Sequence, residues 1–230
     1  MENPFGKITT LERVLELFHE GMTLMFGGFG GVGSPPALID GILEKGVREL
    51  TLIGNDTGFP EIGIGKLVSR ERAVKVIASH IGSNPIAGQL MHDGKLEVEF
   101  SPQGILAERI RAGGVGLAAV LSDIGIDNEL VSKDKPRIQL DGKDYLIETA
   151  LTAEVAIVYA KKADEYGNLI YDKSARNTNP LVAMAGAITI AEVEEIVPLG
   201  SLNPEEIITP GVFVDYLIPS KGVNWKWAWE

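Results

Sequence analysis

Residues 23–36 read TLMFGGFGGVGSPP. An apolar run ends in glycine at five of the seven positions from Gly27 to Gly33, interrupted only by Phe29 and Val32, and Ser34, Pro35 and Pro36 follow. This is the pattern of a buried strand, expected over Met22 to Phe26, that turns tightly into a helix. Ser34 is expected to cap that helix, with Pro35 at its first position, where a missing N–H costs nothing. Leu38, Ile39, Ile42 and Leu43 would be its buried face and Gly46 its exit. So many glycines imply either positive φ or a partner that approaches main chain closely. A phosphate, a thioester and another protein chain all meet that description.

The pattern continues on both sides. Upstream, Thr9 and Glu12 stand at capping-box spacing, and Leu11, Val14, Leu15 and Phe18 form one helical stripe ending at Gly21. Downstream, LTLIG (50–54), VKVIAS (74–79) and LEVEF (96–100) have strand character, and QGILAERIRAGG (103–114) returns to a helix with a glycine stop. Strand and helix alternating at this pace predict an α/β fold: a mostly parallel sheet flanked by helices. The second half carries an antiparallel, strand-rich extension. Asp141-Gly142 marks one hairpin and Gly167-Asn168 a second, and a last helix–strand pair covers about 180–197. No internal repeat or linker is evident, so residues 1–230 are expected to form a single domain.

Composition narrows the class. Lys and Arg number 21 against 32 Asp and Glu, a formal charge of −11 that disfavours nucleic acid. No apolar stretch approaches the ~20 residues of a spanning helix, and MENPFGKITT shows neither a signal nor a transit pattern. There are no cysteines, hence no thiolate nucleophile or Cys–metal site, and His19, His80 and His92 lack metal spacing. A cytoplasmic chain without bound metal is the expectation.

Gly28-Phe29-Gly30-Gly31-Val32-Gly33 satisfies G-x-G-x-x-G after a strand, and Asp56 sits near where a ribose-binding acid would belong. Two features oppose a dinucleotide site. Ser-Pro-Pro thins the donors at the helix start, and Asp56 lies inside a second polar loop, G-N-D-T-G, rather than closing a strand.

Longer matches point elsewhere. Gly21-Met22-Thr23 followed by Leu-Met-Phe and by Gly27 to Pro35 resembles the signature of the alpha subunit of the family I coenzyme A transferases. Leu52 to Thr57, Ser101-Pro102-Gln103-Gly104, Leu106 to Gly114, Lys173-Ser174-Ala175-Arg176-Asn177 and Ile208-Thr209-Pro210-Gly211 are also similar, so the resemblance runs over about residues 8–220. It departs at Glu20, where the family usually has Asp or Asn. The resemblance implies a ping-pong transfer of CoA between short-chain carboxylates or 3-oxoacids such as acetate, butyrate, acetoacetate and succinate. It implies a nucleophilic glutamate on a partner, the beta subunit, in a Ser-Glu-Asn-Gly setting absent here, and an α2β2 assembly. CoA or acyl-CoA would be substrate, with no tightly bound cofactor.

By the same resemblance Gly27, Gly28, Phe29, Gly30, Gly31, Val32 and Gly33 are expected to contact CoA or the acyl group, with backbone N–H groups stabilising an oxyanion. No nucleophile is expected in this chain; Asn55 and Gln103 would support the chemistry as neutral amides, or only close their loops. Asp56 is expected to stabilise a turn, since an acid beside an anionic nucleophile would raise its pKa. Arg176, with Ser174 and Asn177, would meet a substrate anion or join a structural ion pair. Glu108 and Arg109, on a helix, are expected as a solvated or interface pair. Trp225, Trp227 and Trp229 are expected to dock on a partner or symmetry mate. The competing readings are a nucleotide- or sugar-phosphate-binding regulatory domain and an NAD-dependent oxidoreductase.

Overall fold

A computed structural model of the chain describes residues 3–225. The chain runs α1 (Leu11–Leu15), β1 (Thr23–Phe26), α2 (Pro36–Lys45), β2 (Leu50–Ile53), α3 (Gly65–Ser69), β3 (Ala73–Ala78), α4 (Pro85–His92), β4 (Glu97–Phe100) and α5 (Gln103–Gly114). It continues through β5 (Ala119–Ser122), α6 (Glu129–Ser132), β6 (Arg137–Leu140), β7 (Lys143–Thr149), β8 (Ala153–Asp164), β9 (Leu169–Ile170), α7 (Asn179–Ala185), β10 (Gly186–Val197) and β11 (Tyr216–Pro219).

The main sheet has the order β11-β10-β8-β1-β2-β3-β4, parallel throughout, with β9 antiparallel against β8. β5, β7 and β6 make a separate antiparallel sheet. Both faces of the main sheet are covered, which explains its unbroken apolar strands. Along β1, Leu24 and Phe26 face the core under α2, and Met25 faces the opposite core with Leu106, Ile110 and Val182.

The order explains why the glycine stretch is where it is. From β1 the chain builds outward through β2, β3 and β4, then crosses back so that β8 pairs with the other edge of β1. The loop leaving β1 therefore opens at the switch in strand order, where open α/β sheets form crevices. The β1–β8 ladder is prolonged by Gly27 N–H donating to Ile157 O at 2.9 Å.

Several local expectations shift. α1 is capped by Thr10, whose side chain accepts from Arg13 N–H, not by Thr9, and the helix ends at Leu15. α2 begins at Pro36, and Ser34 makes no capping bond. Its first-turn N–H groups, Ala37 and Leu38, instead donate to Glu192 Oε2 at 2.8 and 3.2 Å, a buried carboxylate on distant β10. Gly113 and Gly114 do not stop α5 but form its last turn; a Cβ on Gly114 would stand 2.6 Å from Met184 Cβ on α7. The hairpin at Asp141-Gly142 is as expected, with both residues at positive φ.

Candidate active site

The glycine loop is a miniature hairpin. Phe29 N–H donates to Val32 O at 2.9 Å and Val32 N–H returns to Phe29 O at 3.1 Å, with Gly30 at φ 57° and Gly31 at φ 94° between them. Two consecutive positive φ values define the tight turn that side chains resist, so these two glycines are conformational requirements. Gly27 is a packing requirement instead, because a Cβ there would overlap Asn179 Oδ1.

A second loop carries the same design thirty positions on. Gly58-Phe59-Pro60-Glu61-Ile62-Gly63 repeats the Gly-Phe-x-x-aliphatic-Gly of Gly28 to Gly33, and Phe59 and Ile62 bridge as Phe29 and Val32 do. The absence of an internal repeat thus holds for whole elements but not for these two turns. The two hairpins touch: a Cβ on Gly31 would lie 2.6 Å from Ile62 Cγ2.

Asp56 joins them. Its buried carboxylate accepts from Gly30 N–H (2.8 Å), Asn55 Nδ2 (2.9 Å) and, on the other oxygen, Gly58 N–H (2.8 Å). The residue at the ribose-acid position is thus committed to two main-chain N–H groups and the Asn55 amide, which removes the acid a dinucleotide would need and fits the turn-stabilising role. The loop's donors are also mostly engaged. Gly28 N–H meets Asn177 Oδ1 at 3.1 Å, and Ser34 N–H meets Gly31 O. Among the described residues, Gly31 and Gly33 are the loop positions whose N–H groups find no acceptor.

Asn55 follows β2 and Gln103 follows β4, parallel strands with β3 between them, and the two amides differ in availability. Asn55 is buried, its Oδ1 accepting from Ser79 Oγ at 3.1 Å while Nδ2 serves Asp56. Gln103 is the exposed first residue of α5, and its amide makes no hydrogen bond among the described residues. Beside it Ser101 is buried with an unpartnered Oγ. His80 is local: its Nε2 accepts from Ser83 N–H at 3.1 Å. Among the described residues no three His, Asp or Glu side chains group as metal ligands.

The segment 173–177 closes the other side of the glycine loop. Asn177 Oδ1 takes the Gly28 N–H while its Nδ2 donates to Val32 O and to Ser174 O, each at 2.9 Å. Asn179, fully buried, donates to Gly33 O and Ala175 O at 2.9 Å. Lys173 (φ 47°) and Asn177 (φ 21°, ψ −116°) are held at backbone conformations that cost about 1–3 kcal/mol each for side-chain-bearing residues. Phe29, half exposed at 51%, and Val32 form with Lys173, Ser174, Arg176 and Asn177 a cleft of about 440 Å³.

Three expectations are corrected. Arg176 joins no ion pair among the described residues and lines this cleft. Arg109 is not solvated: buried in α5, it meets Glu99 Oε1 at 2.8 Å and Thr149 O at 2.8 Å, whereas Glu108 pairs with Arg111. Trp225 packs within its own chain, its Nε1 donating to Ser34 O at 3.0 Å and its ring edge-on to Tyr159 at 4.7 Å. Trp227 and Trp229 lie outside the described residues.

Residues 8–220 match the family model described as Coenzyme A transferase. The chain belongs to the coenzyme A transferase family. Over 227 residues, covering 99% of both chains, it is 58% identical to the alpha subunit of a probable coenzyme A transferase of Bacillus subtilis. It is 47% identical to the alpha subunit of the acetate CoA-transferase of Escherichia coli K12, over 94% of this chain and 97% of that one. It is therefore a CoA-transferase chain of the alpha type. Its fold superposes on an acyl-CoA transferase of E. coli O157:H7, solved as a thioester complex with CoA. The TM-score is 0.84 at 23% identity, over 97% of this chain. This CoA-transferase chain spans about half (51%) of that longer one. No helix among its described residues is long and apolar enough to cross a membrane.

Proposed function

We propose that this chain is the alpha subunit of a hetero-oligomeric, α2β2 CoA-transferase that moves CoA between short-chain carboxylates or 3-oxoacids, with the nucleophilic glutamate supplied by the beta subunit. The observation that carries this is Asp56. The acid nearest the glycine loop accepts three hydrogen bonds and is not available to attack a thioester. The reactive carboxylate comes from another chain, residues 27–33 and 55–58 form the wall it meets, and residues 173–177 hold the glycine loop from its other side.

In that reaction the glutamate carboxylate attacks the thioester carbonyl and expels CoA thiolate, leaving an acyl–glutamyl anhydride. The thiolate then attacks the glutamyl carbonyl, releasing the first acid and forming a glutamyl–CoA thioester. The second carboxylate reverses the two steps and departs as the new acyl-CoA, which frees the glutamate. Each attack builds negative charge on a carbonyl oxygen. The uncommitted N–H groups of Gly31 and Gly33 and the amide of Gln103 are this chain's donors to that charge. All are neutral, so they add no second negative charge beside the nucleophile.

The test is to co-produce the chain with a partner carrying Ser-Glu-Asn-Gly, load it with acetoacetyl-CoA and reduce with borohydride. Reduction is expected to convert one glutamate of the partner to the alcohol, with this chain unmodified. Acyl-CoA turnover by this chain purified alone would overturn the reading.

A further inference from the structure

Lys173 and Arg176 are two cations beside the glycine loop, in a protein of net charge −11, and neither has a carboxylate within 4 Å among the described residues. Carboxylates outnumber basic groups here, and ten of the eighteen other lysines and arginines among the described residues pair with one, as Lys75, Arg109 and Lys135 do. A pair left open at the mouth of a cleft is therefore an unmet demand for negative charge.

Its placement is fixed rather than incidental. Asn177 ties the segment to the glycine loop through Gly28 N–H and Val32 O, and Asn179 ties Ala175 O to Gly33 O. Positive φ at Lys173 and Asn177 on either side of the turn keeps both cations on the cleft wall. Facing them are Phe29 and Val32. Apolar wall and cations together suit a ligand with a neutral body and one anionic end, and about 440 Å³ is within the range of small-molecule sites. Lys173 and Arg176 also border a neighbouring cleft, but Glu206 lines that one, so the anion is directed to the glycine-loop side.

Building on the transfer reaction above, we propose that Lys173 and Arg176 form a subsite for an anionic group of the substrate. That group is a phosphate of CoA or the distal carboxylate of a dicarboxylic acid. The subsite sets affinity and does not touch the reacting carbonyl.

The assembled enzyme, this chain with its partner, tests it. Arg176→Ala and Lys173→Ala are expected to raise KM at least about tenfold with kcat within about twofold, and Arg176→Lys to recover most of the loss, at unchanged melting temperatures. If the anion is a CoA phosphate, an acyl-pantetheine donor abolishes the difference between wild type and variant. If it is a distal carboxylate, the difference persists with that donor and is confined to dicarboxylic acids. Unchanged KM values, or an equal loss with acyl-pantetheine and a monocarboxylic acid, would overturn the subsite.

A second measurement needs no turnover. The full chain alone is titrated with inorganic pyrophosphate and with succinate while amide signals of residues 173–177 are followed. Shifts with one of them that vanish in the Lys173→Ala/Arg176→Ala double variant support the subsite even if no partner yields activity, in which case only the transfer reading falls. No shift with either anion overturns the subsite, even in an active enzyme.

Discussion

Replacing Asp56 with alanine would strand the N–H groups of Gly30 and Gly58 and the Asn55 amide in a buried place. Unsatisfied buried donors cost about 1–3 kcal/mol each, and partial relaxation leaves an expected loss of about 2–4 kcal/mol in urea unfolding. A variant within ~0.5 kcal/mol of wild type would mean the loops hold without it. Gly30→Val acts differently. A branched side chain at φ 57° costs about 3 kcal/mol, which the fold survives, but it re-aims the hairpin. Transfer activity in the assembled enzyme is expected to vanish while gel filtration still shows the complex; full-rate transfer would retire the loop from the site. Asp56 was readable as a turn residue because Asp between glycines favours side-chain bonding to nearby main chain. Arg109 was not readable, since its partners Glu99 and Glu148 come from strands that only the fold brings to α5.

Among elements, the N-terminus of α2 is the instructive one. A serine before two prolines suggested a local cap, yet the acceptor is Glu192, more than 150 positions away on β10. Nothing periodic in the sequence links the two, so the capping chemistry was invisible even though the helix was not. The extent of α5, by contrast, was readable, because its apolar spacing and its polar start are local, although its two glycines close its last turn and do not stop it. Burial raises the Glu192 pKa, although Ser220 Oγ at 2.6 Å and the two helix N–H groups pull it back in part. A carboxyl whose folded pKa is raised contributes stability below its unfolded value of about 4.3 and loses it as pH climbs through the folded value. Glu192→Gln, always neutral, is therefore expected to gain in melting temperature relative to wild type between pH 4 and pH 7. A constant difference across that range would refute the linkage. Gly114→Leu is expected to separate α5 from α7 at Met184 and to destabilise by about 1–3 kcal/mol, measured by thermal melting.

At the scale of the whole molecule, the C-terminal segment returns across the entrance to α2. Ser220 bonds Glu192, and Trp225 bonds Ser34 O and stacks edge-on against Tyr159. Truncation after Gly222 is expected to lower the melting temperature of the isolated chain, because an indole would leave a half-buried seat. Equal melting curves would show that the contact contributes nothing. The alternation of strand and helix made the parallel sheet readable, but the position of β8 beside β1 was not, since strand order depends on a crossover that no local signal encodes. That adjacency is what brings the 173–177 turn to the glycine loop.

The fastening of Gly30 by Asp56 and of Gly28 by Asn177 also bears on engineering. A chimaera that imports only residues 27–34 from a relative would carry a bend without its anchors. Three separated segments form one heritable unit, and a graft that exchanges them together has the better prospect of a working enzyme.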